Sequence, residues 1–261
     1  MKSRRNSSRT ERASSCRSCA DSGRRASSVP KHRSGQQGAI GADLVALMNA
    51  LKLERPVLAG YDWGGRAACI VAALHPGRVR GLVCGDGYNI QNIAGSAHPA
   101  SPENEHRKWY QFYFHGARGR AGLEANRRAF CLLLWKLWSP SWRFDEAKFE
   151  RTAVAFDNPD FVEVTIHSYR HRYGLVPGDP AFDEIEHRLR EQPSIDVPSI
   201  SLDGDDDGVM NAGGAADHAH HFTGQHEYRR IPGCGHNIPQ EKPDDFADAV
   251  LTVERWTRDA P

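Results

Sequence analysis

The 261-residue sequence lacks any long uninterrupted apolar run. A membrane-spanning helix needs about 18 or more such residues, and the basic N-terminus also lacks the apolar h-region of a secretory signal peptide. Hydrophobic residues nevertheless make up 39% of the chain, and aromatic residues 9%, which is enough to fill the core of one large domain. These features predict a cytoplasmic globular protein that does not bind a membrane.

Cysteine and histidine occur in no pattern that is typical of a metal or redox site. Of the six cysteines only Cys16 and Cys19 are close in sequence, and no second Cys/His pair completes a tetrahedral zinc set near them. The Arg/Ser-rich sequence around this pair also lacks the strand and helix that flank a thioredoxin-type motif. The histidines show no HExxH spacing. We therefore expect scattered reduced thiols and no cofactor.

Basic residues are concentrated at the N-terminus. Residues 1–33 contain ten Lys and Arg and two acids, whereas the rest of the chain contains 24 basic and 31 acidic residues. Between Lys2 and Arg33 the only large apolar side chain is Val29, so 1–33 is predicted to be a disordered basic segment. As a binding arm for nucleic acid or anionic membranes it would lack interleaved aromatic residues and amphipathic periodicity. A small molecule, rather than nucleic acid or a membrane, is the expected partner.

Regular apolar spacing begins near Gly38 and predicts an amphipathic helix that contains Ile40, Leu44, Leu47, Met48 and Leu51. Buried strands are predicted at 55–61 and 79–84, with a helix at 64–74 between them, which is the βαβ pattern of a parallel sheet. Helical periodicity with two aromatic clusters occupies 93–192. Strands return at 198–203 and 227–231, and a helix follows at 246–256. The sequence thus predicts an α/β core of residues 34–92 and 193–261 that carries a helical cap, residues 93–192.

A reactive carboxylate stands between a predicted strand and a predicted helix in the sequence GYDWGG, residues 60–65. Asp62 has glycines on both sides, as in the nucleophile elbow, where the turn is sharp and larger residues would keep the helix from packing on the strand. An isolated GxDxG would more often be an ordinary turn with an Asp N-cap.

Two further segments favour the catalytic interpretation of Asp62. The strand at 198–203 runs into three consecutive acids, and Gly-Cys-Gly-His follows the last predicted strand. Asp207 is the predicted acid that orients an imidazole, with Asp206 as the adjacent alternative, and His236 is the predicted general base. Nucleophile, acid and histidine occur in the chain order that is typical of α/β-hydrolases.

From residue 34 to 256 the sequence resembles the Asp-nucleophile branch of the α/β-hydrolase superfamily. This branch comprises epoxide hydrolases, haloalkane dehalogenases and haloacetate dehalogenases. GYDWGG is similar to their elbow, and GCGHNIPQEKP, residues 233–243, is similar to their histidine loop. The resemblance implies that Asp62 attacks carbon and that water activated by His236 hydrolyses the resulting ester. The backbone N–H of Trp63 would be one oxyanion donor.

Residues of the predicted cap would decide the substrate. Epoxide opening needs a donor for the departing alkoxide, whereas halide release needs N–H donors around the halide. Tyr169 is the predicted alkoxide donor, and Tyr110, Tyr113 and His167 are predicted to bind substrate. The basic residues near Tyr169 could instead bind a substrate carboxylate, which would favour haloacids.

The resemblance also implies earlier strands and a His-Gly-x-Pro-type loop before the helix near Gly38, which we do not find in the sequence. We therefore expect a fold that is N-terminally incomplete and lacks one oxyanion donor. Loss of such a donor costs about 10²- to 10³-fold in rate. An inactive scaffold or interaction protein is the alternative to an enzyme, although the intact Asp62, Asp207 and His236 argue against it.

Overall fold

One parallel four-stranded sheet forms the centre of the computed structural model, which describes residues 34–210 and 213–258. The strands are β1 (Val57–Gly60), β2 (Gly81–Gly85), β3 (Ser199–Gly204) and β4 (His226–Ile231), and they lie in chain order across the sheet. The α-helices are α1 (Gln37–Ala50), α2 (Asp62–Leu74), α3 (Pro102–Arg107), α4 (Trp109–Tyr113), α5 (Ala117–Ala125), α6 (Arg127–Trp138), α7 (Glu146–Ala153), α8 (Phe161–His171), α9 (Asp183–Arg190), α10 (Gly214–Asp217), α11 (Ile238–Glu241) and α12 (Pro243–Thr257). The expected α/β-hydrolase fold is confirmed, since every predicted core strand and helix is present.

Strand β2 shows why these short apolar runs form a sheet that is covered on both faces. All five of its residues are buried. Leu82 and Cys84 pack into a cluster with α1 and α2, whereas Val83 packs with α12 on the opposite face. Since successive strand residues point to opposite faces, a continuous apolar run is what a sheet sandwiched between helices requires.

The predicted apolar face of the first helix is wrong in part. Met48 is buried, but the side chains of Leu47 and Leu51 are 48% and 52% exposed. The face that meets α2 contains Gly41, where a Cβ would lie 2.4 Å from Ile70 Cγ2. Close approach of the two helices therefore depends on a small residue, which turns the leucines outward.

The segment between β2 and β3 contains helices α3 to α9 and has an apolar cluster of its own. Aromatic side chains dominate this cluster, and Trp63 of the core helix α2 joins it. The helical segment therefore packs directly over the start of α2. Its separation as a cap domain, and its boundaries at 93 and 192, stay predictions.

The predicted disordered segment 1–33, including Cys16 and Cys19, lies outside the described residues. The expectation that strands are missing before α1 concerns the same residues and stays a prediction. Within the described ranges, no helix combines the length and apolarity that crossing a bilayer requires.

Candidate active site

The turn between β1 and α2 places the Asp62 carboxylate at the carboxyl edge of the sheet. Asp62 has a φ of 47°, in the left-handed region that a side chain rarely adopts. A Cβ on Gly60 would lie 2.6 Å from the backbone carbon of Gly64, so the strand and helix meet at a distance that only glycine permits. The strained backbone turns the carboxylate out of the sheet, as a nucleophile elbow does.

Asp207 and His236 meet at the same edge, after β3 and β4. The Nδ1 atom of His236 lies 2.8 Å from Asp207 Oδ2. Asp207 Oδ1 accepts hydrogen bonds from the backbone N–H groups of Val209 and Met210 at 2.6 and 3.0 Å. Asp207 is buried and Asp206 is exposed, so the structure brings the first choice of acid, and not its neighbour, to the histidine.

The His236 side chain links this acid to the elbow. Its Nε2 atom lies 3.8 Å from Asp62 Oδ2. Although burial opposes its charged form, Asp207, Asp86 and Asp62 raise the pKa of His236 well above its usual 6.5. Burial would likewise raise the pKa of Asp62, but His236 and Arg66 outweigh it and hold this pKa below 3.8. Asp62 is therefore ionised, as a nucleophile must be.

Asp86 is a second acid at the imidazole, and sequence reasoning missed it. It follows β2 directly and is 3% exposed, and its Oδ2 lies 3.6 Å from His236 Nδ1. Burial and the nearby Asp207 and Asp62 charges raise its pKa well above 3.8 despite the attraction of His236. An acid placed directly after a buried strand in Gly85-Asp86-Gly87 was the available signal, because carboxyl ends of parallel strands share one edge.

Asp86, Asp207 and His236 are also the described residues whose ligand atoms best suit a metal ion, since one atom of each lies within 4.8 Å of the others. Three ligands can hold catalytic zinc with an open fourth position. Here, however, His236 Nδ1 is already hydrogen-bonded to Asp207, which explains the proximity without a metal.

Two cavities adjoin the elbow. An apolar cavity of about 100 Å³ is lined by side chains of the helical segment and by Trp63. A polar cavity of about 320 Å³ contains His236, Asp86 and Tyr110 in its lining. Asp62 and Tyr169 line both cavities. A molecule that reaches Asp62 is therefore also within reach of the Tyr169 side chain.

Tyr110 and Tyr169 form an aromatic pair beside the carboxylate. Their rings meet edge to face at 5.5 Å, and Tyr169 meets Trp63 in the same way at 6.0 Å. Burial raises the pKa of Tyr110 well above 10, and it also raises that of Tyr169. Both phenols thus keep their protons near neutral pH and can donate them.

Tyr113 and His167, two predicted substrate-binding residues, line neither cavity. Tyr113 stacks on Phe130 at 5.9 Å within the aromatic cluster of the helical segment. His167 Nδ1 accepts a hydrogen bond of 3.0 Å from the backbone N–H of Gly35, and its Nε2 lies 3.1 Å from Pro177 O. Both residues therefore make structural contacts outside the two cavities. Their side chains lie on sides of α4 and α8 that do not face the elbow.

Comparisons with known proteins agree with this fold. The α/β-hydrolase fold family matches residues 5–243. A candidate epoxide hydrolase from Klebsiella pneumoniae is 44% identical in sequence, with 87% of this chain and 76% of that chain covered and a TM-score of 0.85. The chain belongs to the α/β-hydrolase family and is a hydrolase.

More distant structures share the fold alone. A candidate epoxide hydrolase from Pseudomonas aeruginosa is 17% identical, with a TM-score of 0.69 and coverage of 88% of this chain and 75% of that chain. A candidate α/β hydrolase from Nostoc sp. is 22% identical, with a TM-score of 0.67 and coverage of 87% and 75%. No curated protein sequence matched the chain.

Proposed function

We propose that the protein is an epoxide hydrolase that works through an ester on Asp62. The observation that carries the proposal is that Asp62 and Tyr169 both line each of the two cavities. A carboxylate that attacks an epoxide carbon needs an acid within reach of the ring oxygen. The 44% identity with a candidate epoxide hydrolase supports the same substrate class.

The first step forms a bond between an Asp62 oxygen and one ring carbon. The carbon–oxygen bond of the ring breaks, and the ring oxygen takes the proton of Tyr169. Tyr169 can act in this way because burial keeps it protonated. The product of this step is a hydroxyalkyl ester of Asp62.

The second step hydrolyses the ester. His236 Nε2 lies 3.8 Å from Asp62 Oδ2, so the imidazole is close enough to hold a water molecule beside the ester carbon. His236 takes a proton from that water while its oxygen attacks the ester carbon, and the backbone N–H of Trp63 stabilises the resulting oxyanion. When the intermediate collapses, the bond between the former ester carbon and the diol oxygen breaks, and the diol oxygen takes the proton of the attacking hydroxyl group, which restores the carboxylate. The proton on His236 returns to Tyr169 through solvent.

Trapping of the ester tests the proposal. His236→Gln keeps the nucleophile but lacks the base, so incubation with styrene oxide should leave an adduct on the peptide that contains Asp62, whereas Asp62→Ala should form none. Mass spectrometry of the digested protein measures this. An adduct from 2-chloropropionate and none from the epoxide would instead identify a haloacid dehalogenase, and an adduct in Asp62→Ala would exclude Asp62 as nucleophile.

The role of Tyr169 has a matched control in the same segment. Tyr169→Phe should slow adduct formation about 10- to 100-fold, because the departing alkoxide loses a proton donor. Tyr113→Phe removes the same hydroxyl outside both cavities and should leave the rate within about twofold of the wild type. Equal effects of the two substitutions would show that Tyr169 acts only through packing.

Breakdown of the ester should become faster as pH rises. His236 must be neutral to take a proton from water, and Asp207, which stays hydrogen-bonded to Nδ1 after Asp62 has become an ester, still raises the pKa of the imidazole. The rate constant should therefore increase through a pKa above 6.5 and then level off. Rapid-quench measurements from pH 5.5 to pH 10 provide the test. A rate that is constant or decreases over this range would exclude His236 as the base.

A further inference from the structure

Three cationic side chains line the polar cavity. Arg66, Lys108 and Arg172 line it. Neither Lys108 nor Arg172 forms an ion pair with a carboxylate among the described residues. Burial and the neighbouring Arg172 lower the pKa of Lys108, which indicates that two cations share a partly desolvated space. Such a space favours an anion.

The Arg172 guanidinium is fixed by contacts with two side chains, and one of its nitrogens has no hydrogen-bond partner among the described residues. Its guanidinium carbon lies 4.5 Å above the centre of the Tyr169 ring. With the Gln91 amide turned so that its oxygen faces the guanidinium, that oxygen accepts from Nε at 3.1 Å and from Nη1 at 3.2 Å. The buried Nη2 atom has no hydrogen-bond partner in the ranges that the structure describes. A fixed guanidinium with a free N–H group is suited to a carboxylate oxygen.

The acids in the same lining offset only part of this charge, and Glu105 favours the charged form of Lys108. Glu105 accepts a 2.6 Å hydrogen bond from the backbone N–H of Ala100 and forms no ion pair within 4.0 Å among the described residues. Burial and the charges of Asp207, Asp62 and Asp203 disfavour the charged form of Asp86. Asp62 loses its charge when it becomes an ester. The excess of positive charge therefore increases as the reaction proceeds.

The other cavity beside Asp62 is apolar and favours an uncharged group. Its lining includes Phe130, Leu134 and Trp135, and Asp62 lies where it meets the polar cavity. A substrate whose reacting carbon is at Asp62 can extend into both spaces.

We propose that the substrate is an epoxide with an apolar group on one ring carbon and a carboxylate on the other, and that Lys108 and Arg172 bind the carboxylate. This inference rests on the proposed function. It assigns the apolar group to the cavity of the aromatic cluster and the anion to the cavity that contains His236.

Two epoxides that differ in charge alone test the inference. 3-Phenylglycidate carries a phenyl group and a carboxylate across the ring, and 3-phenylglycidamide replaces the carboxylate by a neutral amide of similar size. In the wild type, kcat/KM for the carboxylate should exceed that for the amide by about 10-fold or more, since a charge-assisted hydrogen bond is worth roughly 1.5–3 kcal/mol. No preference for the carboxylate would overturn the inference.

Each variant is characterised by the ratio of kcat/KM for the carboxylate to kcat/KM for the amide. A loss of activity that affects both substrates equally leaves this ratio unchanged. Lys108→Met and Arg172→Met should each lower the ratio at least about threefold, and together they should bring it close to one. Arg118→Met removes a cation that is exposed and lines neither cavity, so it should keep the wild-type ratio. A ratio that stays at the wild-type value in the double variant would overturn the assignment.

Adduct formation separates this inference from the proposed function. If His236→Gln forms an ester with the amide while the wild type shows no preference between the substrates, the epoxide hydrolase stands and the carboxylate site falls. If no epoxide yields an ester, the proposed function fails, and the inference that rests on it fails too.

Discussion

Asp207→Asn is expected to lower turnover about 10³-fold or more, whereas Asp86→Asn should lower it less than about 10-fold. Both acids face Nδ1 of His236, but only Asp207 is within hydrogen-bond distance, at 2.8 Å against 3.6 Å for Asp86. Burial alone would raise the pKa of Asp207, yet His236 and two backbone N–H donors hold it below 3.8. Asp207 is thus the ionised partner of the imidazole.

The amide in Asp207→Asn would present either an N–H group or a neutral oxygen to Nδ1. The first favours the tautomer with the proton on Nε2, which cannot take a proton from water, and the second no longer stabilises the imidazolium. Asp86 is a different case, because neighbouring carboxylates and burial favour its neutral form. Replacing a neutral acid by an amide changes little charge.

Single-turnover kinetics resolve the step that is affected. Asp207→Asn should form the ester at a rate near that of the wild type and then hydrolyse it slowly, because the histidine acts only in the second step. Asp86→Asn should do both at rates near those of the wild type. An Asp86→Asn variant as slow as Asp207→Asn would show that Asp86 carries the charge that orients His236.

Gly60→Ala is expected to lower the free energy of unfolding by about 2–3 kcal/mol and to remove most activity. The added methyl group would lie 2.6 to 2.8 Å from backbone atoms of Gly64 and Gly65. Backbone atoms cannot turn aside as a flexible side chain can, so β1 and α2 must separate. Asp62 lies at the junction of these two elements, and its carboxylate would move with them.

Thermal unfolding measures the loss of stability, which corresponds to roughly 4–12 °C for a chain of this size. Gly77→Ala is the matched control, because a Cβ at that position has no heavy atom within 4 Å. Its melting temperature should stay within about 3 °C of the wild type, since a tolerated Gly→Ala change is worth less than about 1 kcal/mol. A Gly60→Ala variant as stable and active as this control would show that the junction can open without cost.

The sequence was sufficient to predict the order of the core elements. Strands such as β2 are short apolar runs between turn residues, and an all-parallel sheet follows from alternation of strands with helices. The positions of Asp62, Asp207 and His236 could be predicted for a related reason. Each lies two to five residues beyond the end of a strand, and the carboxyl ends of parallel strands meet at one edge.

Which side chains of the helical segment reach Asp62 could not be predicted. Tyr110 and Tyr113 belong to one short aromatic run, but of these two only Tyr110 lines either of the two cavities beside Asp62. His167 and Tyr169 are two residues apart on α8 and therefore point to different sides of that helix. The rotation of each helix over the core depends on packing within the aromatic cluster, which local spacing does not determine.

The sequence by itself was sufficient to predict the class of chemistry that we propose, because residue type and chain order are local properties that a turn and a strand end preserve. Only the tertiary structure decided the surroundings of that chemistry. It brought Asp86 to the imidazole and placed the Lys108 and Arg172 cations opposite an apolar cavity, with Asp62 between them. These contacts join α3, α4, α8 and loops of the core that are far apart in sequence, and close packing sets their distances.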